Sequence, residues 1–208
     1  FVLIGYLISN LLRPVLGLTF SPLQVLAVRF GDRIGKGVRT APRDAMLAAN
    51  ASPQTRGRIF GFHRGMDNAG ATIAPLLAAG FLVIFPDNYR LLFMLTAIPG
   101  LLALIFVYFA LRLNRETLDT SQTKIEFKQI REMPKKFKVF LGVLLLFTLS
   151  VSTDAFLILK LHEVGLSAFW ITIIWAAHNG TRMVFSFWGG KFTDEFGPRK
   201  SILLGWIV

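Results

Sequence analysis

Seven charged side chains, Arg29, Asp32, Arg33, Lys36, Arg39, Arg43 and Asp44, recur at mostly three- and four-residue intervals through the stretch RFGDRIGKGVRTAPRD. Guanidinium and ammonium groups so spaced are equipped to grip an anion, a carboxylate or a phosphate. Wound as a helix at about 100° per residue, all seven fall within a sector of roughly 140°, with Ala27, Phe30, Ile34, Val38, Ala41 and Ala45 opposite. Arg29, Arg33 and Lys36 lie within about 60° of one another, and Asp32 is their nearest internal counter-charge. These four are the candidate substrate-binding residues. Gly31 and Gly35 add a small-xxx-small spacing that lets a neighbouring helix approach closely.

Two settings fit such a helix. It can lie on a membrane surface or in water as a solvated basic face, or it can cross the membrane with its charges turned to a cavity. Ser21-Pro22 opens the segment directly after another apolar run, and twenty residues of helix cover about 30 Å, which puts Arg29 to Lys36 inside the bilayer. Charges at that depth cost several kcal/mol unless they face a cavity or a partner, so the cluster reads as a functional site.

The elements around it are those of a membrane protein. The 208 residues are 53% hydrophobic with 20 phenylalanines, and mean hydropathy is +0.56, too apolar for an ordinary soluble domain. The chain begins and ends within apolar runs and reads as an internal fragment. With no cysteine, disulfides and thiolate metal sites are excluded. Seven spans are expected: about Phe1 to Phe20, the charged helix, Gly57 to Phe85, Tyr89 to Leu113 with a bend at Pro99-Gly100, Val139 to Leu161, Ser167 to Gly190, and one beginning near Ser201. Asn114 to Lys138 is a long polar connection.

Thirteen Lys and Arg flank alternate ends (Arg56, Arg58, eight from Arg112 to Lys138, Lys191, Arg199, Lys200), against Arg90 and Lys160 on the other side. The positive-inside rule makes the first set cytoplasmic. The basic loops therefore need no nucleic-acid partner, and the expected partners are a small-molecule substrate and the lipid bilayer.

Between the sixth and seventh spans stands Gly190-Lys-Phe-Thr-Asp194-Glu-Phe-Gly197-Pro-Arg199-Lys200. It resembles the G-x-x-x-D-x-x-G-x-[RK]-[RK] cytoplasmic loop motif of the major facilitator superfamily of secondary transporters. The resemblance implies a conformational role, since a carboxylate beside a helix N-terminus with cations across the loop is a pairing that helix rearrangement makes or breaks. Glu195 stands where family members often carry a base. Gly61, Gly70 and Pro75 also resemble part of the G-x8-G-x3-G-P-x2-G-G pattern associated with antiporters there, with Ala74, Ala78 and Ala79 replacing glycines. Small residues and a proline equally suit any tightly crossed, bent membrane helix.

The likeness covers nearly the whole chain as the family's third to ninth helices of twelve. It implies an all-α integral membrane bundle, with residues 1–113 from the N-terminal six-helix half, 114–138 the central cytoplasmic loop, and 139–208 from the C-terminal half. It further implies a multi-pass protein of the inner (plasma) membrane that needs no cofactor and moves a solute by alternating access, with proton-coupled antiport or efflux of an anionic or amphipathic compound as the finer expectation. The cavity would be lined by the Arg29 helix and the Asp154 helix. Asp154 follows Ser150, Ser152 and Thr153, and is either a proton-titrating carboxylate or one hydrogen-bonded to those hydroxyls.

Arg64 and Asp67, three apart, read as an ion pair. His178 and Arg182 share a face, where a lone histidine is more often structural than catalytic. Gly31 to Gly37 resembles a phosphate loop but is one residue short and lacks the Ser or Thr after Lys36. No paired-histidine metal motif or nucleophile elbow is present. The rival function is an integral-membrane enzyme acting on a phosphorylated lipid, with Arg29 to Arg43 gripping phosphate. It lacks a nucleophile and a general base.

Overall fold

The computed structural model describes residues 2–113, 134–150 and 154–207. Among them every regular element is helical: α1 Val2–Val15, continued by a 3-10 turn Leu16–Leu18, α2 Pro22–Ala49, α3 Arg56–Ile84, α4 Tyr89–Leu95, α5 Ala97–Leu113, α6 Lys135–Ser150, α7 Asp154–Glu163, α8 Ala168–Phe196 and α9 Pro198–Ile207. Most of the central connection, 114–133, lies outside the described residues, and α6 already begins at Lys135, inside the stretch expected to be loop.

The start of α2 is written locally. Ser21 Oγ accepts the Gln24 N–H at 3.3 Å while Gln24 Oε1 accepts the Ser21 N–H at 3.2 Å, a capping box with Pro22 in the first turn. The helix then runs 28 residues, through Pro42, about 42 Å at 1.5 Å per residue. The helix is therefore longer than the twenty residues that cover about 30 Å, and Arg29 to Lys36 lie near its middle.

Two expected boundaries move. The fourth span breaks at Thr96, not at Pro99-Gly100. Pro99 has no N–H to give the carbonyl four residues back, Leu95, and α4 ends on that residue. The sixth span does not stop at Gly190: α8 continues to Phe196, Gly197 closes it at φ 85° with its N–H on the Thr193 carbonyl at 3.0 Å, and Pro198 starts α9. The expected loop is reduced to one residue in a conformation that glycine adopts without cost.

Helix contacts are made by small residues and the bulky apolar ones point outward. Ser9, Ala79, Ala176 and Asn179 are buried, whereas Leu77 is 71%, Phe106 70% and Trp188 73% exposed. This inverts a water-soluble core and suits helices whose outer faces meet lipid or further helices. By length and apolarity two helical stretches among the described residues qualify as membrane spans, Arg56–Ile84 and Tyr89–Arg112. The expected count of seven is thus reached only in part. α1 is 14 residues long, α2 carries too many charges, and the fifth span is described as two helices, α6 and α7, on either side of 151–153, which lie outside the described residues.

Candidate functional site

Two close helix pairs position the charged residues. In the first, α1 lies on α2 at glycine distance. A Cβ on Gly35 would stand 2.9 Å from Ser9 Oγ and 3.0 Å from the Gly5 carbonyl oxygen, and one on Gly31 would stand 2.7 Å from Leu12 Cδ1. The small-xxx-small pair is therefore where the helices touch, and Ser9 Oγ donates to the Asp32 carbonyl at 3.4 Å.

This packing divides the ionic face of α2. Asp32 reaches across to the neighbouring helix: its Oδ1 lies 3.6 Å from Arg13 Nε of α1. The Arg39 guanidinium sits over the Tyr6 ring, 4.4 Å from its centre. Arg43 holds Asp44 at 3.2 Å and reaches Asp67 of α3 at 3.8 Å. By contrast Arg29, Arg33 and Lys36 are exposed, and among the described residues no ion pair joins them to an acid. Asp32, predicted as their counter-charge, is committed elsewhere, so the cation excess is larger than the sequence suggests.

The expected Arg64–Asp67 pair is also replaced. Asp67 is shared between Arg43 and His63, whose Nδ1 is 3.9 Å from Asp67 Oδ2. Arg64 is left exposed. The charged groups close enough to act on Lys36 are Arg33, Arg39, Asp67 and Arg64, so α2 and α3 contribute to one electrostatic neighbourhood.

In the second pair α3 crosses α8. Gly57, Gly61 and Gly65, four apart, face Gly190 and Phe187: a Cβ on Gly61 would stand 2.7 Å from Gly190 Cα and from the Ser186 carbonyl oxygen. Further along, Asn68 Nδ2 donates to Ser186 Oγ at 3.1 Å. Of the two antiporter-like glycines, Gly61 is pressed against another helix and Gly70 is not. Gly70 has open space where its Cβ would be, and Pro75 lies inside α3 without ending it.

At the end of this crossing Asp194 sits on the N-terminus of α3. Its carboxylate accepts the Gly57 N–H at 2.6 Å and the Arg58 N–H at 2.9 Å, and its side chain is 6% exposed. Arg58 adds its guanidinium, 3.7 Å from Asp194 and 3.9 Å from Glu195, which also meets Lys191 at 3.8 Å. Unpaired amides and the positive end of a 29-residue helix dipole are a natural anion seat. The cation at Asp194 is thus Arg58 of another helix. Arg199 and Lys200 lie exposed in the first turn of α9.

Asp154 opens α7, and its side chain lies outside the described residues. The His178 ring lies 5.5 Å from that of Trp175, one turn before Arg182 on α8.

Among known proteins, a family profile described as Major Facilitator Superfamily matches residues 1–208. An uncharacterized MFS-type transporter of Methanocaldococcus jannaschii is 33% identical over 100% of this chain and 53% of its own length. Uncharacterized proteins of Mycobacterium bovis and Mycobacterium tuberculosis are 26% identical over 96% of this chain and 50% of theirs. The chain spans about half the length of the curated relatives it matches. No solved structure matches.

Proposed function

The chain belongs to the major facilitator superfamily, and from that premise we propose that it is the central part of a secondary transporter that carries an anionic solute across the membrane by alternating access. The observation that carries this reading is the Asp194 carboxylate on the Gly57 and Arg58 amides. It joins helices from the two halves of the family's bundle through a contact that is strong when made and costly to half-make. Such a contact suits a latch between two states of a rocking pair of halves.

On this reading residues 1–113 close the first six-helix half, 114–138 is the central cytoplasmic loop, and 139–208 opens the second half, giving seven of twelve spans in the inner or plasma membrane. Arg29, Arg33 and Lys36 supply the attraction for an anion, because three exposed cations in a low-dielectric cavity call for a counter-charge. Asp154 is the proposed proton carrier of an antiport or efflux cycle. The protein catalyses no bond chemistry.

The test is entrance counterflow with the full-length protein in vesicles, using matched panels of organic anions and cations. Accumulation of anions alone is expected. Accumulation of cations alone, or of neither panel, removes the anionic reading.

A further inference from the structure

Arg64 is the cation that neither the ion-pair pattern nor the latch explains. Asp67, the acid three residues on, is occupied by Arg43 and His63, and among the described residues no acid forms an ion pair with Arg64. On the α3 wheel Arg64 stands about 60° from the Gly61 line that meets α8, turned toward the side where Asp67 meets α2. It lines a cleft of ≈ 1080 Å³ whose other walls include Phe60, Phe185, Trp188, Phe192 and Leu204, and whose remaining charges, Lys191 and Glu195, pair with each other at 3.8 Å.

We propose that Arg64 holds the charged group of the transported solute while the aromatic walls of this cleft take its apolar body, so that the substrate is an amphiphilic organic anion, a sulfonate, carboxylate or phosphate monoester on an aryl or alkyl frame. The proposal deepens the anionic-solute reading above and rests on it. An inorganic anion would satisfy the cation and leave the aromatic walls bare. A neutral hydrophobe would fill the walls and leave Arg64 without a counter-charge, the costlier mismatch in low dielectric. A planar guanidinium beside Phe60 also suits an acidic group attached to a flat ring, which it grips through paired N–H donors. The arrangement further gives the ligand contacts on α3 and on α8 and α9 at once, so that its binding can bias the relative positions of those helices.

The test is calorimetry on the full-length protein in lipid nanodiscs, corrected for empty nanodiscs, with 2-naphthalenesulfonate as probe and with sulfate and 2-naphthalenemethanol as its inorganic and neutral counterparts. 2-Naphthalenesulfonate is expected to bind about tenfold or more tighter than either counterpart, the order expected from losing one charge-assisted contact. Arg64→Gln is expected to weaken it by about the same factor, Arg64→Lys to restore most of the loss, and Trp188→Ala to weaken it without affecting sulfate. Thermal unfolding of each variant checks that the protein is folded.

If Arg64→Gln and Trp188→Ala leave the affinity unchanged while Arg33→Gln lowers it, the cleft is not the solute's seat and this inference falls with the anionic reading intact. Sulfate binding as tightly as the sulfonate overturns the amphiphile alone. If neither anion binds the wild-type protein, both readings fall.

Discussion

The Asp194 carboxylate stands 2.6 Å from the backbone nitrogen of Gly57, 137 positions earlier in the chain, and closes the N-terminus of α3 from the last turn of α8. A side chain there would push the helices apart, because a Cβ on Gly57 would overlap the Gly190 carbonyl and the Asp194 carboxylate itself. The acid, the bare amide and the second glycine form one device.

Asp194→Asn is therefore expected to slow turnover by about tenfold or more while changing solute Kd by less than about threefold. The variant keeps one acceptor for the α3 amides but loses the charge that the helix end and Arg58 stabilise, about 1–3 kcal/mol of latch energy. Turnover in reconstituted vesicles is compared with Kd by direct binding. Equal loss of both would move Asp194 into the binding site.

The α3–α8 crossing separates two glycines that the sequence treats alike. Gly61→Val is expected to cost about 1–3 kcal/mol, from forcing Cβ against Gly190 and Ser186. Gly70→Ala, with open space around it, is expected to gain up to about 1 kcal/mol from helix propensity. Thermal unfolding in detergent measures both. A Gly70 variant as damaged as the Gly61 variant would mean that the antiporter-like pattern, not this crossing, governs the helix.

What could be read in advance was local. Ser21, Pro22 and Gln24 announce the start of α2, and Gly31 with Gly35 announces a close neighbour, because capping and small-residue stripes act within one or two turns. What could not be read was the identity of partners. Asp32 goes to Arg13 and Asp67 to Arg43, each meeting a cation on another helix, and spacing along one helix carries no information about what packs across it. The glycines at 57, 61 and 65 signal a close approach by their four-residue repeat, yet nothing local says that the approaching helix lies beyond residue 168. The break falls at Thr96 and not at Pro99 because a proline disrupts the hydrogen bond four residues behind it.

Topology follows from the loop charges alone. A cysteine at Gln122, in an otherwise cysteine-free chain, is expected to resist an impermeant thiol reagent in intact cells and to react after permeabilisation. Labelling from outside would invert the orientation.

On the proposed antiport reading Asp154 is expected to carry the coupling proton, as an ionisable residue within an expected apolar span. Asp154→Asn should abolish accumulation driven by a pH gradient and leave downhill exchange in place. Persisting pH-driven accumulation would reduce Asp154 to a hydrogen-bonding partner of its neighbours.

Arg33 is the sharpest probe of the cation face. It stands about 40° from Arg29 and about 60° from Lys36 on the wheel, is exposed, and has no acid partner among the described residues now that Asp32 is paired with Arg13 at 3.6 Å. A side chain that holds two helices together should show that contact. Arg43 and Arg13 do; Arg33 does not. Removing its charge should therefore cost little stability and much affinity: Arg33→Gln is expected to leave thermal unfolding within about 0.5 kcal/mol, as for a substitution away from packed contacts, and to weaken binding of an anionic solute about 10- to 100-fold, the worth of one charge-assisted hydrogen bond at about 1.5–3 kcal/mol. A cationic solute should gain. Destabilised protein whose surviving fraction binds with full affinity would assign Arg33 to helix packing and remove the cation face from the binding site.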